Sequence, residues 1–342
     1  MNKNKPKILY AIQGTGNGHI SRARDIIPIL QRKGDLDILI SGIQADMQIP
    51  YPIKYRFYGL SFIFGQKGGV DLFKTFRKSN FRKLILEVKQ LPIENYDLVI
   101  NDFEPVSAWA CYFKAKECIS LSHQAVVLHK NSPQPKKYDL IGKSILKNYA
   151  PCTTQYGFHF QEYDKSIYSP VIRKEIREII PENKGHYTVY LPSLSDNKII
   201  KILSEFPEIK WQVFSKHTKE SYIKNNISVS YINNKEFINS IATSIGVLCG
   251  AGFETPAEAL FLNKKLMVIP MKNQFEQQCN AQALKEMGVP VIKNLKRKHL
   301  PKIKEWLQSM EVIPINYPDN TEDIIDSILL KHCNNNYPQI AL

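Results

Sequence analysis

Two consecutive doubly wound α/β domains are the fold class this sequence predicts, and three observations carry that expectation. The chain has 342 residues, about twice an ordinary domain, and enough apolar content, 43 %, to fill two cores. Short apolar runs alternate with segments of helical apolar spacing along most of its length, the pattern of a largely parallel sheet covered on both faces. The alternation pauses once, near Pro151 to Ser169, and then restarts. One merged sheet would have more strands than sheets favour, so two units fit better.

In order, KPKILYAIQG predicts a strand ending in a glycine-rich turn, and ISRARDIIPILQRKG an amphipathic helix stopping at Gly34. LDILISG is a second strand. Residues 53–91 mix short strands with a basic, aromatic, helix-like stretch. YDLVIND is a strand whose acidic end enters the helix EPVSAWACYFKAK, with Pro105 near its start, and ECISLSHQ is the next strand. After the pause come the strands HYTVYLPS, KWQVFSK, ISVSYIN, IGVLCGAG and LMVIPM, with helices in DNKIIKILSEFP, KEFINSIATS, FETPAEALFLNK and FEQQCNAQALKEMG. The domains are expected at 1–163 and 164–318, with a last helix at 319–331 that can return to the first domain and a frayed tail at 332–342.

Composition narrows the function classes. A formal charge of +14 implies attraction to an anion, be it a nucleotide phosphate, an anionic membrane or nucleic acid. No zinc-finger, helix-turn-helix or RNA-recognition pattern is present, so no nucleic-acid partner is expected. The six cysteines lack metal-ligand spacing and are expected as reduced core thiols, with no metal. No apolar run reaches the roughly 20 residues of a membrane span and the first residues do not read as a secretion signal, so a cytoplasmic location is expected. The segment YRFYGLSFIFGQKGGVDLFKTFRKSNFRKLILEVK interleaves aromatics with bases. It suits peripheral contact with an anionic membrane; alternatively Phe73, Phe76, Phe81 and Leu84 pack inward and the bases are solvated.

Gly14-Thr15-Gly16-Asn17-Gly18-His19 lies between the first strand and helix, where exposed backbone N–H groups of the turn, which includes the candidates Gly16, Asn17 and Gly18, and the helix dipole favour an anion or a reacting hydroxyl. A dinucleotide fingerprint would want a small residue at His19 and an acid after the second strand, where Ser41-Gly42 stand; a Walker loop would need GK[ST]. His19 stands at the carboxyl end of a strand and can take a proton, or it can simply bond local backbone. Asp102, ending YDLVIND on the same sheet edge, can orient a protonated imidazole, cap the helix near Pro105, or do both. Glu104 is a weaker alternative base.

The second turn, Gly250-Ala251-Gly252, opens the helix containing Thr255, Pro256 and Glu258. Its amide cluster suits a diphosphate, and Glu258 either suits a ribose diol or is simply an acid favoured by the helix dipole. Gln277, Gln278 and Asn280 gather at the next helix start, either with amides matched to sugar hydroxyls or as a solvated helix face. Ser193, after HYTVYLPS, and Lys216, ending KWQVFSK, complete the candidate donor site. The pair Asp35 and Asp37 is expected to precede its strand, at the wrong sheet edge for chemistry.

Taken together, GTGNGHISRA and CGAGFETPAEALFLNKKLMVIPMKNQFEQQCNAQALKEMGV resemble the B-type-fold (GT-B) glycosyltransferases, two Rossmann-like domains facing a central cleft. The similar groups are the peptidoglycan-precursor N-acetylglucosaminyltransferases and the UDP-glycosyltransferases; VINDFEPVSAWACYFKAKECISLSHQ resembles a further subgroup. The resemblance implies an inverting, metal-independent hexosyl or N-acetylhexosaminyl transfer from a nucleotide sugar, UDP-linked, to a glycan, lipid-linked or small-molecule acceptor. The nucleotide sugar is then a substrate and no cofactor is needed. It also implies that Glu258 holds the ribose, Gly250 and Gly252 face the diphosphate, Gln277 and Gln278 meet the sugar, and His19 with Asp102 forms the base. Asn17 between the glycines and Phe253-Glu254 depart from the peptidoglycan branch. A nucleotide-sugar epimerase and a non-catalytic nucleotide or polyanion binder are the alternatives.

Overall fold

The computed structural model describes residues 5–42, 49–60, 64–65, 69–70, 81–135 and 139–333. The first sheet contains β1 (Lys7–Gln13), β2 (Asp35–Ser41), β3 (Tyr55–Phe57), β6 (Leu98–Asp102), β7 (Ile119–Leu121), β8 (Thr154–Phe158) and β9 (Ile167–Tyr168) in the order β3-β2-β1-β6-β7-β8-β9. Every pairing in it is parallel. A small hairpin, β4 (Phe64–Gly65) with β5 (Gly69–Val70), stands apart. The second sheet contains β10 (His186–Tyr190), β11 (Lys210–Ser215), β12 (Tyr222–Lys224), β13 (Ile227–Tyr231), β14 (Gly246–Gly250) and β15 (Lys265–Ile269). Its order is β12-β13-β11-β10-β14-β15, parallel except at the edge strand β12.

Parallel strands need crossovers, and helices supply them on both faces. They are α1 (Asn17–Lys33), α2 (Phe81–Gln90), α3 (Pro105–Phe113), α4 (His123–Val127), α5 (Leu140–Tyr149) and α6 (Lys174–Arg177), then α7 (Asp196–Leu203), α8 (Asn234–Thr243), α9 (Glu254–Phe261), α10 (Phe275–Glu286), α11 (Leu300–Gln308) and α12 (Thr321–His332). Central strands are apolar throughout because both faces are covered; Ile8, Leu9, Tyr10, Ala11 and Ile12 of β1 are all fully buried.

Several expectations need correction. Residues 151–169 carry β8 and β9, which extend the first sheet; their short aromatic and polar runs hide the strand period. Asp35 and Asp37 lie inside β2 rather than before it, still toward its amino end, where Asp37 receives Lys54 and the Tyr96 hydroxyl. On α2, Leu84 is buried as expected but Phe81 is 43 % exposed; Phe73 and Phe76 lie outside the described residues. The last helix, α12, packs on α1 through Arg32–Glu322 at 2.7 Å and Lys33–Asp326 at 2.8 Å.

Topology decides where ligands can reach. In each sheet the strand order reverses once, between β1 and β6 and between β10 and β14, and the crevice opens beyond the carboxyl ends of those pairs. Ile12 is in register with Asp102 in the first sheet, and Tyr190 with Cys249 in the second. Both glycine turns therefore leave their sheets at the switch points.

Candidate active site

Gly16 caps α1 at φ 90°, a left-handed conformation that glycine adopts without strain, and it makes no side-chain cap bond. The same lack of a side-chain cap holds for α9 and α10, and also for α6, α7, α11 and α12 away from the switch points. By contrast, α3, α4, α5 and α8 are capped by Glu104, Ser122, Asp139 and Asn233. The helix starts at the two switch points thus keep amide donors for a ligand.

One turn into α1, His19 directs Nδ1 to Asp102 Oδ1 at 2.8 Å. Asp102 is fully buried, and an ionised carboxylate there needs compensation. Arg22, one helical turn beyond His19, supplies it: Nη2 lies 2.7 and 2.9 Å from the two carboxylate oxygens and Nε lies 3.2 Å from Oδ2. Burial pushes the Asp102 carboxyl up, but Arg22 and then His19 outweigh it and hold the group below its ordinary range. With Nδ1–H donating to Asp102, the imidazole keeps its Nε2 lone pair. Gln124 Nε2 lies 3.4 Å from that atom.

Glu104 is not a free base. Its carboxylate is fully buried and accepts from Val106 N, Ser107 N, Ser107 Oγ and Ser41 Oγ, which makes it the α3 cap. The capping role weighed for Asp102 therefore falls to its neighbour two residues on, and Asp102 is left wholly to His19 and Arg22.

The second domain meets this cluster directly. Arg22 Nη1 lies 2.5 Å from Glu254 Oε1, and a Cβ built on Gly18 would stand 3.2 Å from Glu254 Cγ. The two glycine turns thus face one another across the domain boundary. Gly252 has open space where a side chain would be, and at Gly250 the nearest atom is Gln277 Oε1 at 3.7 Å. Thr255 is half-buried in the first turn of α9; Ser193 and Lys216 follow β10 and β11 at the carboxyl edge, half-buried and exposed respectively. Gln277 and Gln278 are half-buried, with Gln277 Oε1 accepting from Met271 N at 2.9 Å.

Two candidates have protein partners that sequence reading did not foresee. Glu258 is buried and paired with Arg173, Nε to Oε1 at 2.5 Å and Nη2 to Oε2 at 2.9 Å. Asn280 is fully buried, donating to Ala251 O at 3.1 Å and accepting from His123 Nε2 at 2.7 Å. Full burial keeps its amide away from the surface a sugar would meet, and its two bonds make it an interdomain tie. His123 strengthens that tie by stacking on Phe253 at 3.9 Å and 6°, and desolvation lowers its basicity.

Arg22, His123, Gln124 and Arg173 were missed. The first was accessible, since the i, i+3 spacing from His19 places both on one helical face. His123 and Gln124 end a strand run on the same sheet edge as Asp102, a placement the pattern allowed. Arg173 sits in an aperiodic stretch with no local signal.

Beside the dyad, a cavity of about 260 Å³ is lined by Phe103, Ser120, Gln124, Leu128, Leu146 and Cys152, among others. Phe103 parallels His19 at 6.3 Å and 9°, so the cavity adjoins the imidazole. A larger groove of about 520 Å³ runs along α8 and is lined by none of the candidate residues. Among the described residues there is no group of side chains suited to a metal ion, and no helix long and apolar enough to cross a membrane. The six cysteines are free thiols.

Solved structures share this architecture. The glycotransferase of kitacinnamycin is 12 % identical, with 98 % of this chain and 100 % of that chain covered at TM-score 0.56. UGT89C1 of Arabidopsis thaliana, complexed with UDP, is 11 % identical, with 98 % and 96 % covered at TM-score 0.60. MurG of Acinetobacter baumannii is 12 % identical, with 95 % and 100 % covered at TM-score 0.56. No curated protein sequence matches this one. The fold is thus that of the two-domain GT-B glycosyltransferases. Because the family model for glycosyl transferase family 1 matches residues 6–311, nearly the whole chain, the protein belongs to that family and is a glycosyltransferase.

Proposed function

We propose that the protein moves a hexosyl or N-acetylhexosaminyl group from a nucleotide-sugar donor, UDP-linked, to an acceptor hydroxyl, with inversion at the anomeric carbon and without a metal. The observation that carries this reading is the His19–Asp102 pair at a switch point, its Nε2 held 3.4 Å from Gln124 Nε2 at the edge of the cavity that Gln124 and Phe103 line. The acceptor, a glycan, lipid-linked or small molecule, occupies the cavity side. Its hydroxyl proton goes to His19 Nε2 as its oxygen bonds the anomeric carbon and the bond to phosphate breaks. The nucleoside diphosphate leaves with the electron pair of that bond. Asp102 holds the imidazole in register and stabilises its protonated form.

On the donor side, the uncapped start of α9, the Gly250–Gly252 backbone, Thr255, Ser193 and Lys216 meet the diphosphate. Glu258 oxygens, each with a lone pair beyond those given to Arg173, accept from the ribose diol. The amide groups of Gln277 and Gln278 meet the sugar, Gln277 with its NH₂ because its oxygen is engaged. That UGT89C1 is complexed with UDP favours a uridine donor.

Proton NMR of the product, with donors screened first by thermal shift against UDP-, GDP- and dTDP-sugars, tests the reaction. An inverted anomeric centre, formed undiminished in excess chelator, is expected; retention contradicts single displacement. An epimerase would instead convert UDP-N-acetylglucosamine with no acceptor present, and a mere binder would release no UDP with any acceptor.

A face of the first domain suits peripheral attachment to anionic lipid at the cytoplasmic side. The packed helices α2 and α3 expose Ile85 (52 %), Leu86 (58 %), Tyr112 (62 %) and Phe113 (68 %), with Arg82, Lys83 and Lys89 among them. Sedimentation with phosphatidylserine vesicles is expected to pellet the protein, and Leu86→Ser/Phe113→Ser to abolish this. Equal pelleting with neutral phosphatidylcholine vesicles, or none with either, contradicts it.

A further inference from the structure

Glu254 is the first residue of α9, two positions after Gly252, and its side chain is 19 % exposed. It contacts the other domain through Arg22, whose remaining polar contacts go to Asp102 and His19. The charged and titratable groups facing it are Arg22 of α1, Tyr10 of β1, Asp102 of β6, Glu258 of its own helix, and Arg173 before α6. Two guanidinium groups thus meet three carboxylates, leaving this buried cluster one negative charge in excess when all are ionised. A donor diphosphate brought to the same helix start adds two more, in surroundings that screen them poorly.

We propose that Glu254 is a built-in stand-in for the donor diphosphate: its carboxylate holds Arg22 in the empty protein and yields it on donor binding, so ionised Glu254 and bound donor oppose each other. The inference rests on the donor site described above and adds to it a proton. Geometry singles out Glu254 for the exchange. Asp102 is sealed between His19 and Arg22, and Glu258 is clamped at both oxygens by Arg173, whereas Glu254 has one partner and an opening to the turn.

Burial raises the Glu254 carboxyl, Arg22 opposes this, and Glu258 and Asp102 add to it, leaving the group at about 7. The sign follows. Below about pH 7 the carboxyl is already protonated and Arg22 is available; above it, donor binding must draw a proton from solvent, so affinity falls by up to about tenfold per pH unit. A purely structural tie predicts the reverse for its removal: without Glu254 the domains part and the donor binds less well.

Titration calorimetry on the full chain separates the two, using UDP-glucose, UDP-N-acetylglucosamine, GDP-mannose and dTDP-glucose as probes. Their diphosphate esters keep a constant charge across this range, so any pH dependence belongs to the protein. For the tightest probe, affinity is expected to drop about fivefold between about pH 7 and about pH 8, with proton uptake rising from about half a proton to about one, read from two buffers of unlike ionisation enthalpy. Glu254→Gln is expected to bind about tenfold more tightly than the unmodified protein at about pH 8, with no pH slope and no proton uptake. A flat pH profile without proton uptake in the unmodified protein overturns the inference whether or not the variant folds, and so does weaker binding by a folded Glu254→Gln. Absence of binding by all four probes instead removes the donor reading, and this inference with it.

Discussion

The two glycine turns occupy equivalent places in their sheets yet surround themselves with opposite materials. After β1, the turn leads into a sealed set of charges in which His19, Arg22 and Asp102 satisfy one another. After β14, the turn leaves room: Gly252 has nothing within 4 Å of a built Cβ, and the start of α9 has no side-chain cap. A base needs an imidazole held by a fixed partner, whereas a diphosphate needs amide donors and empty space. In the proposed reaction the same backbone device serves proton transfer on one wall of the boundary and anion binding on the other, and the substitutions below break one wall at a time.

Asp102→Ala should have the largest effect, because it frees His19 to rotate and leaves the buried Arg22 guanidinium with Glu254 as its remaining acidic partner. Turnover is expected to fall by about 10³-fold or more, with stability lower by about 3–5 kcal/mol in chemical denaturation. A variant as stable as the parent would show that Glu254 alone satisfies Arg22.

On the donor wall, a hydrogen bond from a ribose hydroxyl to the Glu258 carboxylate is worth about 1.5–3 kcal/mol. Calorimetry with UDP and 2′-deoxy-UDP should show that loss in the parent and a much smaller difference in Glu258→Gln. An equal difference in both proteins would assign Glu258 to Arg173 alone. Smaller still, Asn280→Ala should cost about 1–3 kcal/mol of stability by leaving His123 unpaired, with donor affinity changed by less than about threefold. A large, selective loss of donor affinity would restore the sugar contact that its burial argues against.

What sequence reading delivered divides along physical lines. Alternating strand and helix periods exposed both sheets, and placing a residue at a strand's carboxyl end sufficed to pair His19 with Asp102, because parallel neighbours in register share one edge. Partners fixed only by tertiary packing were not legible. Glu258 and Asn280 looked like ligand groups because their helix positions suit one, and nothing local announced Arg173 or His123 as the side chains that occupy them. Glu104 illustrates the same limit at short range: two acids stand two residues apart, and only the backbone turn, with Phe103 at φ 56°, decides that Glu104 caps α3 while Asp102 points at His19.

The central claim, that the first wall exists to take the acceptor proton, is tested most directly by His19→Gln, measuring turnover and donor affinity on the same folded sample. Turnover is expected to fall by about 10²–10⁴-fold while the donor binds as before. Turnover within a few-fold of the parent would contradict the account and leave the His19–Asp102 pair a structural one.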